Sequence, residues 1–431
     1  MDRPRASVFA DRDIVCVAGV AWDSYWLSLH QYMSRLAEAH RVLFVNRPVT
    51  FPGTIVRRAR SGTNDAAIAR GTVRRVGERL YVADPPPALP LRFERPVTAA
   101  NQALRGWFVS RTACALGFES PLVWVHDIDA ARVMPRLDPW VSLYWVTDDH
   151  PTGPAFRANP INRVAAMRAR ERELLRSVDL VLTTAPQLRD AKAGFNSNSH
   201  CVPHGVDADH FARATNSETR PASAFGTIRE PIIGFVGQIN ERLDRELIRL
   251  VARAHPEWSI VLVGPILRGL DVGPLRALQN VHFLGSAALD RLPEFLKPMD
   301  VCTVPFLVND HTLTMSPLKI LEYLAAGKPV VSTPLPAVRA YEPHVTIAGG
   351  AAEFAAAVEL ALAEDSPARG RARAEFAGEH SWESRLEEIC GLIEMTAALK
   401  GVGTKDRDAH RDANRLAGKA GRSRPRVGEP T

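Results

Sequence analysis

Along almost all of this chain, short runs rich in β-branched and aliphatic residues alternate with segments whose apolar residues recur at helical spacing. The runs are apolar throughout, which suits strands covered on both faces. Parallel strands cannot be joined by a tight turn and need a crossover, usually a helix. The alternation therefore predicts an α/β fold built on parallel sheets. In the first half the strands are DIVCVAG (13–19), RVLFVN (41–46), LVWVHD (122–127), VSLYWVT (141–147) and DLVLTT (179–184). The helix between the first two is YWLSLHQYMSRLAEAH (25–40). ADPPPALPLRFERP (83–96) reads as a proline-rich loop that cannot join a central strand.

The pattern breaks after HCVPHGVDADHFARA (200–214) and restarts with PIIGFVG (231–237), WSIVLVG (258–264), VHFLG (281–285), DVCTVPF (300–306) and PVVST (329–333). Between them TNSETRPASAFGTIRE (215–230) is polar, as a linker would be. With 431 residues, 46% of them hydrophobic, the chain can bury two cores. The expected organisation is a Rossmann-like domain over 1–214, the linker 215–230, and a second doubly wound domain over 231–380. An amphipathic helix over 381–400, capped by Ser381, and a disordered basic tail over 401–431 complete it. Two such domains present the C-terminal ends of their strands to a shared cleft, where ligands bind in folds of this kind.

Composition narrows the function classes. No apolar run reaches about 18 residues, so no segment reads as a membrane span. The amino terminus keeps charges up to Asp13 and reads as a first strand rather than a signal peptide. Five scattered cysteines without CxxC spacing suit small buried thiols in a reducing cytoplasm and offer no metal set. The net charge is +6, and the tail, with eight Lys/Arg against four Asp/Glu, supplies +4 of it. A second basic stretch runs from Arg57 to Arg75. Both lack aromatic residues, which argues against stacking on single-stranded nucleic acid. Solvated loops are the plain reading, and weak attraction to an anionic membrane surface is the functional one.

The most informative stretch is TMSPLKILEYLAAGKPVVSTP (314–334). Ser316 can cap a helix, Pro317 suits its first position and Gly327 its left-handed end, so a helix over Pro317–Ala326 is expected. Lys319 falls in the first turn, where the helix dipole disfavours a cation. A phosphate held by the amides of Leu318 and Lys319 would reverse that penalty. Glu322 lies on the same face, placed to hold a hydroxyl pair such as that of a ribose. The alternative is a plain Lys319–Glu322 pair on a solvated face. Gly237 ends a strand where the backbone can approach a ligand closely, and Arg242 follows within reach of the same cleft. No GxGxxG is present, so a dinucleotide-dependent dehydrogenase is unsupported.

SPLKILEYLAAGKPVVSTPLP resembles the donor-binding segment of GT-B-fold glycosyltransferases, more narrowly the family-4-like group that includes the teichuronic acid biosynthesis glycosyltransferases. VPHGVDADHF, IIGFVGQINERLDRELI and FLGSAALDRLPEFLKPMDVCTVPF resemble the same group in order and spacing, with His204 where asparagine is usual. The amino-terminal half matches in outline, through HQYMSRLAEAHRVLFVNRP, LVWVHD and LYWVTDDH. The resemblance implies the GT-B fold, two Rossmann-like doubly wound parallel-sheet domains facing an interdomain cleft. It also implies sugar transfer from a nucleoside-diphosphate sugar to an acceptor hydroxyl with retained configuration. Glu322 would hold the donor ribose, and Lys319 and Arg242 the diphosphate. The earlier carboxylate of the family's Glu-x7-Glu pair falls at Thr314, which brings no charge; Asp310 is a possible substitute. The final helix would cross back to the first domain.

His126 and Asp127 end a strand on the acceptor side as a candidate positioning or proton-handling pair. Asp148, Asp149 and His150 follow the next strand, with structural capping the equal alternative for the aspartates. By the resemblance, the departing phosphate takes the acceptor's proton, and neither a metal nor another cofactor is required. The partners implied are a nucleotide sugar and a glycan or lipid-linked acceptor, at the cytoplasmic face of the membrane. Three other readings stand beside this one: a nucleotide-sugar-binding protein with impaired catalysis, a sugar-nucleotide epimerase on the same fold, and a nucleic-acid binder using the tail.

Overall fold

The computed structural model describes residues 12–24, 26–49, 71–89, 95–149 and 161–401. His150, most of the basic stretch 57–75 and all but the first residue of the tail lie outside these. Two sheets organise the chain. The first has eight strands: β1 (Ile14–Val17), β2 (Val42–Val45), β3 (Thr72–Arg75), β4 (Leu80–Asp84), β5 (Leu122–Val125), β6 (Val141–Val146), β7 (Leu180–Thr183) and β8 (Ser199–Cys201). Their order is β3-β4-β2-β1-β5-β6-β7-β8, parallel apart from the β3–β4 pair. The second sheet is parallel throughout and has six: β9 (Ile232–Val236), β10 (Ser259–Val263), β11 (Val281–Gly285), β12 (Val301–Val304), β13 (Val330–Ser332) and β14 (Val345–Ile347). Its order, β11-β10-β9-β12-β13-β14, reverses direction between β9 and β12, as the first sheet does between β1 and β5. A crevice opens at each reversal, beyond the strand C-termini.

Helices cover both sheets. In the first domain α1 (Ser28–Ala39) lies on one face, and α2 (Arg95–Ala115), α3 (Ile161–Ser177) and α4 (Pro186–Ala193) cover the other. Because strand side chains alternate, Cys16 and Trp124 pack with Tyr32 of α1, whereas Val17 and Val125 pack with Val109 of α2 and Leu174 of α3. Around the second sheet lie α5 (Ala208–Ala212), α6 (Arg245–Ala254), α7 (Gly273–Arg276), α8 (Leu292–Leu296), α9 (Lys319–Ala325), α10 (Gly350–Glu364) and α11 (Pro367–Gly378). The last helix, α12 (Trp382–Leu399), is capped by the Ser381 hydroxyl, which accepts from the Ser384 amide at 3.1 Å. It carries Trp382, Ile389, Ile393 and Ala397 into the first core, not the second.

Several expectations need correction. The stretch 215–230, expected as a linker, anchors Ala222 and Phe225 in the second core, and Val206 and Phe211 already belong there. Two buried apolar groups suffice to pin a polar segment against a neighbouring sheet. The loop expected from residue 83 begins later, because Ala83 and Asp84 finish β4. The end of the basic stretch is an exposed edge strand, β3, whose arginines discourage further strand pairing. Cys114 is exposed near the end of α2, so the cysteines are not all buried.

Candidate active site

The second sheet's reversal point gathers three groups, two on the loop after β9 and one at the start of α9. Gly237 follows β9 with φ +148°, outside the range that other residues readily adopt. A side chain there would also meet Lys319, whose Cε lies 3.0 Å from the position of a Cβ. Lys319 opens α9, and its Nζ stands 5.3 Å from the Phe235 ring centre and 4.9 Å from that of Phe306. The faces of both rings attract the cation. Arg242 sits on the loop after β9. Its carbonyl accepts from the Leu307 amide at 2.8 Å, and its guanidinium reaches Met315 Sδ at 3.6 Å. Among the described residues, neither Lys319 nor Arg242 has a carboxylate within salt-bridge distance.

The electrostatics follow from this crowding. Burial, reinforced by Arg242 and opposed by Glu322, lowers the Lys319 ammonium to about 8. Burial raises the Glu322 carboxyl to about 7 against the pull of Lys319. Two neighbouring cations held at a strand edge without a salt-bridged carboxylate are stabilised by an anion from outside. Glu322 also lines an interdomain cleft of about 430 Å³. Leu318, Trp382 and His210 line it with Glu322, and Trp26 and Leu27, just before α1, line it from the first domain. The opening of α9 thus faces the cleft, and Leu318 packs against the first core.

The opening itself differs from the expected form. The helix spans Lys319–Ala325 with Leu318 at the cap position, and no side chain caps it. Ser316 is instead buried near the Tyr341 hydroxyl. Amides of Ile320 and Leu321 donate to the carbonyls of Pro317 and Leu318 at 3.2 and 3.1 Å, so the entry is a tighter turn. Gly327 ends the helix with φ +71°, as its sequence position implies. Thr314 donates its hydroxyl to the His311 carbonyl at 2.9 Å, and Asp310 is exposed on the preceding turn.

On the first sheet, His126 and Asp127 face opposite sides of the strand end. Strand alternation sends His126 to the Trp124 face and Asp127 to the α2 face. His126 Nε2 lies 3.4 Å from Thr147 Oγ1, with the ring 5.6 Å from that of Trp145. Asp127 accepts from Arg105 at 2.6 Å and from the Asp129 amide at 3.0 Å. Burial would raise its carboxyl, yet Arg105, Arg47 and the Asp129 amide hold it below the usual range. Asp149 joins a buried ion network, 3.5 Å from Lys192, which in turn lies 2.8 Å from Glu171. Asp148 is half-buried near His204.

His204, which stands where asparagine is usual, has its contacts set by the tertiary structure. Its Nδ1 lies 3.0 Å from Ser28 Oγ at the start of α1, and its ring faces Trp145. Burial lowers it to about 4, so it is neutral. Arg105 was missed, although an arginine in a helix opposite a strand-end aspartate is a usable signal. Among the described residues no three His, Cys, Asp or Glu side chains converge as a metal-binding group.

Two doubly wound parallel-sheet domains that share a cleft define the GT-B class, and solved structures of that class align along nearly the full chain. Sucrose-phosphate synthase from Thermosynechococcus elongatus matches with TM-score 0.66 and 17% identity over 90% of this chain and 100% of that one. Anabaena HepE, in complex with UDP and glucose, matches with TM-score 0.58 and 15% identity over 88% and 98%. Residues 230–364 match the family model described as "Glycosyl transferases group 1". Among curated relatives, the "Putative teichuronic acid biosynthesis glycosyltransferase TuaH" of Bacillus subtilis (strain 168) is 32% identical over 149 residues. That match spans 34% of this chain and 37% of TuaH, little more than a third of the relative's length.

Proposed function

We propose that this protein is a glycosyltransferase that moves a sugar from a nucleoside-diphosphate sugar to a hydroxyl of a glycan or lipid-linked acceptor in cell-surface polysaccharide synthesis. The observation that carries this reading is the Lys319–Arg242 couple, which lacks a salt-bridged carboxylate and stands against Gly237 beside a cleft lined by Glu322. A diphosphate supplies the missing anion, and Glu322 accepts hydroxyls of the ribose. The HepE complex with UDP and glucose supports a uridine nucleotide as the first probe.

The proposed chemistry retains the anomeric configuration. The bond from the sugar's anomeric carbon to the diphosphate oxygen breaks, and the acceptor oxygen bonds to the same face. The acceptor's proton passes to the departing phosphate oxygen. Lys319 and Arg242 stabilise the charge that develops on the leaving group, which is where electrostatic preorganisation acts most strongly. His126, at the first sheet's reversal point, positions the transferring sugar or the acceptor. The enzyme works at the inner face of the cytoplasmic membrane, drawn there by its basic segments.

A thermal-shift panel of nucleoside diphosphates and nucleotide sugars tests the donor site, since a ligand that binds only the folded state raises its melting temperature. Lys319→Ala and Glu322→Ala should each weaken diphosphate binding about 10- to 100-fold, at roughly 1.4 kcal/mol per factor of ten. Unchanged calorimetric affinity in both variants would place the donor elsewhere. Thr314, with its hydroxyl turned to His311, favours a second reading as a binding protein with impaired catalysis. Product formation from a bound donor separates the two.

A further inference from the structure

The first domain holds a second polar recess, on the opposite side of the β5 terminus from His126. It has a volume of about 50 Å³ and lies between α2 and the loops that follow β2, β4 and β5. Thr98, Gln102 and Arg105 line it at spacings of four and three residues, which puts them on one face of α2. Arg47, Asp127 and Asp129 line it from the loops.

The charges in this recess do not balance. Asp127 is paired with Arg105 at 2.6 Å, and Asp129 with Arg170. Each carboxylate therefore has its own arginine. Arg47 acts on Asp127 from a distance, yet it has no carboxylate within salt-bridge reach among the described residues. Arg105 is only 4% exposed, and its Nε–H finds no acceptor among the described residues. A buried guanidinium with an unused donor costs free energy unless something accepts from it. Gln102, also buried, adds an amide donor to the same wall.

We propose that this recess binds one anionic group, a carboxylate or a phosphate, and that the group belongs to the acceptor. The first half of this statement stands on the recess alone; the second rests on the glycosyl-transfer reading. A planar guanidinium suits either oxyanion. The volume admits such a head group and leaves the sugar ring that carries it outside, on the edge of the sheet from which His126 also projects.

Calorimetric titration of the full chain with glucuronate, glucose 6-phosphate, inorganic phosphate and glucose tests this, with and without saturating uridine diphosphate. The two charged sugars should bind, glucose should not, and the nucleotide should not displace them. Arg47→Gln should weaken the charged sugars about tenfold, the loss of one charge-assisted hydrogen bond. Its uridine diphosphate affinity should stay unchanged. Gln102→Leu, which leaves the Arg105–Asp127 pair in place, should weaken them as well. If Lys319→Ala abolishes anion binding while Arg47→Gln does not, the anion sits in the diphosphate site and the recess is ruled out. Failure of both charged sugars to bind at on the order of 10 mM overturns it too. Inorganic phosphate binding as tightly as both sugars would overturn the acceptor assignment. Loss of nucleotide binding alone would count against the donor site and leave the recess standing.

Discussion

Lys319 and Glu322 sit three residues apart on one helix turn, and burial pushes them in opposite directions, to about 8 and about 7. The proposed donor site needs the lysine protonated and the glutamate ionised. Raising the pH through about 7 ionises Glu322, and raising it further through about 8 discharges Lys319. Nucleotide-diphosphate affinity should therefore peak between these values and fall on either side, which calorimetry across the range reads directly. Glu322→Gln should remove the acid limb and keep the alkaline one. A flat profile would mean that neither group meets the ligand. His126→Ala should lower turnover more than nucleotide affinity, because the side chain belongs to the other domain; equal losses would contradict an acceptor-side role. The sequence pointed to Lys319, Gly237 and Arg242 because each residue type has one prominent use at a strand end. It also paired His126 with Asp127, and there it misled. Adjacent strand residues face opposite ways, so sequence neighbours become spatial strangers, and Arg105 takes the aspartate.

At the scale of elements, the parallel strands were legible because their runs are apolar and long enough to stand out. β3 was not legible, since its residues are exposed and two of its four are arginines. β4 was hidden by the prolines that follow it. The opening of α9 shows how tertiary packing overrides local preference. Ser316 has the chemistry of a cap, yet it is buried beside Tyr341 and the helix starts three residues later, uncapped by a side chain. The final helix was foreseen from Ser381 and its apolar spacing. Its docking depends on Trp382, which is 2% exposed and lies 5.3 Å from the Tyr32 ring in edge-on contact. Trp382→Ala should cost about 3–5 kcal/mol. Urea denaturation followed by tryptophan fluorescence checks this. A loss well below 1 kcal/mol would mean that the helix is not needed to seal the first core.

At the scale of the whole molecule, the two domains meet through a short crossover near Val206 and a return at Ser381, which lie side by side in a backbone bridge. Both crossings border the cleft, which Val206 and Trp382 line, so this small region is where one domain would hinge on the other. Removing residues 402–431 should leave uridine diphosphate affinity within about twofold, because the donor groups all belong to the loops and helix α9 of the second domain. The same truncation should reduce sedimentation with anionic vesicles if the tail attracts a membrane surface. A large loss of nucleotide affinity would place the tail in the cleft. The amino-acid sequence by itself determined the two α/β domains, their order and the cationic loop residues of the second, because periodicity and strand-end chemistry are local properties of a chain. Only the tertiary structure decided which side chains share a space. It set His126 apart from Asp127, left Arg242 and Lys319 side by side without a salt-bridged carboxylate, and turned Arg105 and Arg47 into one recess. Those outcomes depend on the direction in which each strand end points and on what the facing element brings to it.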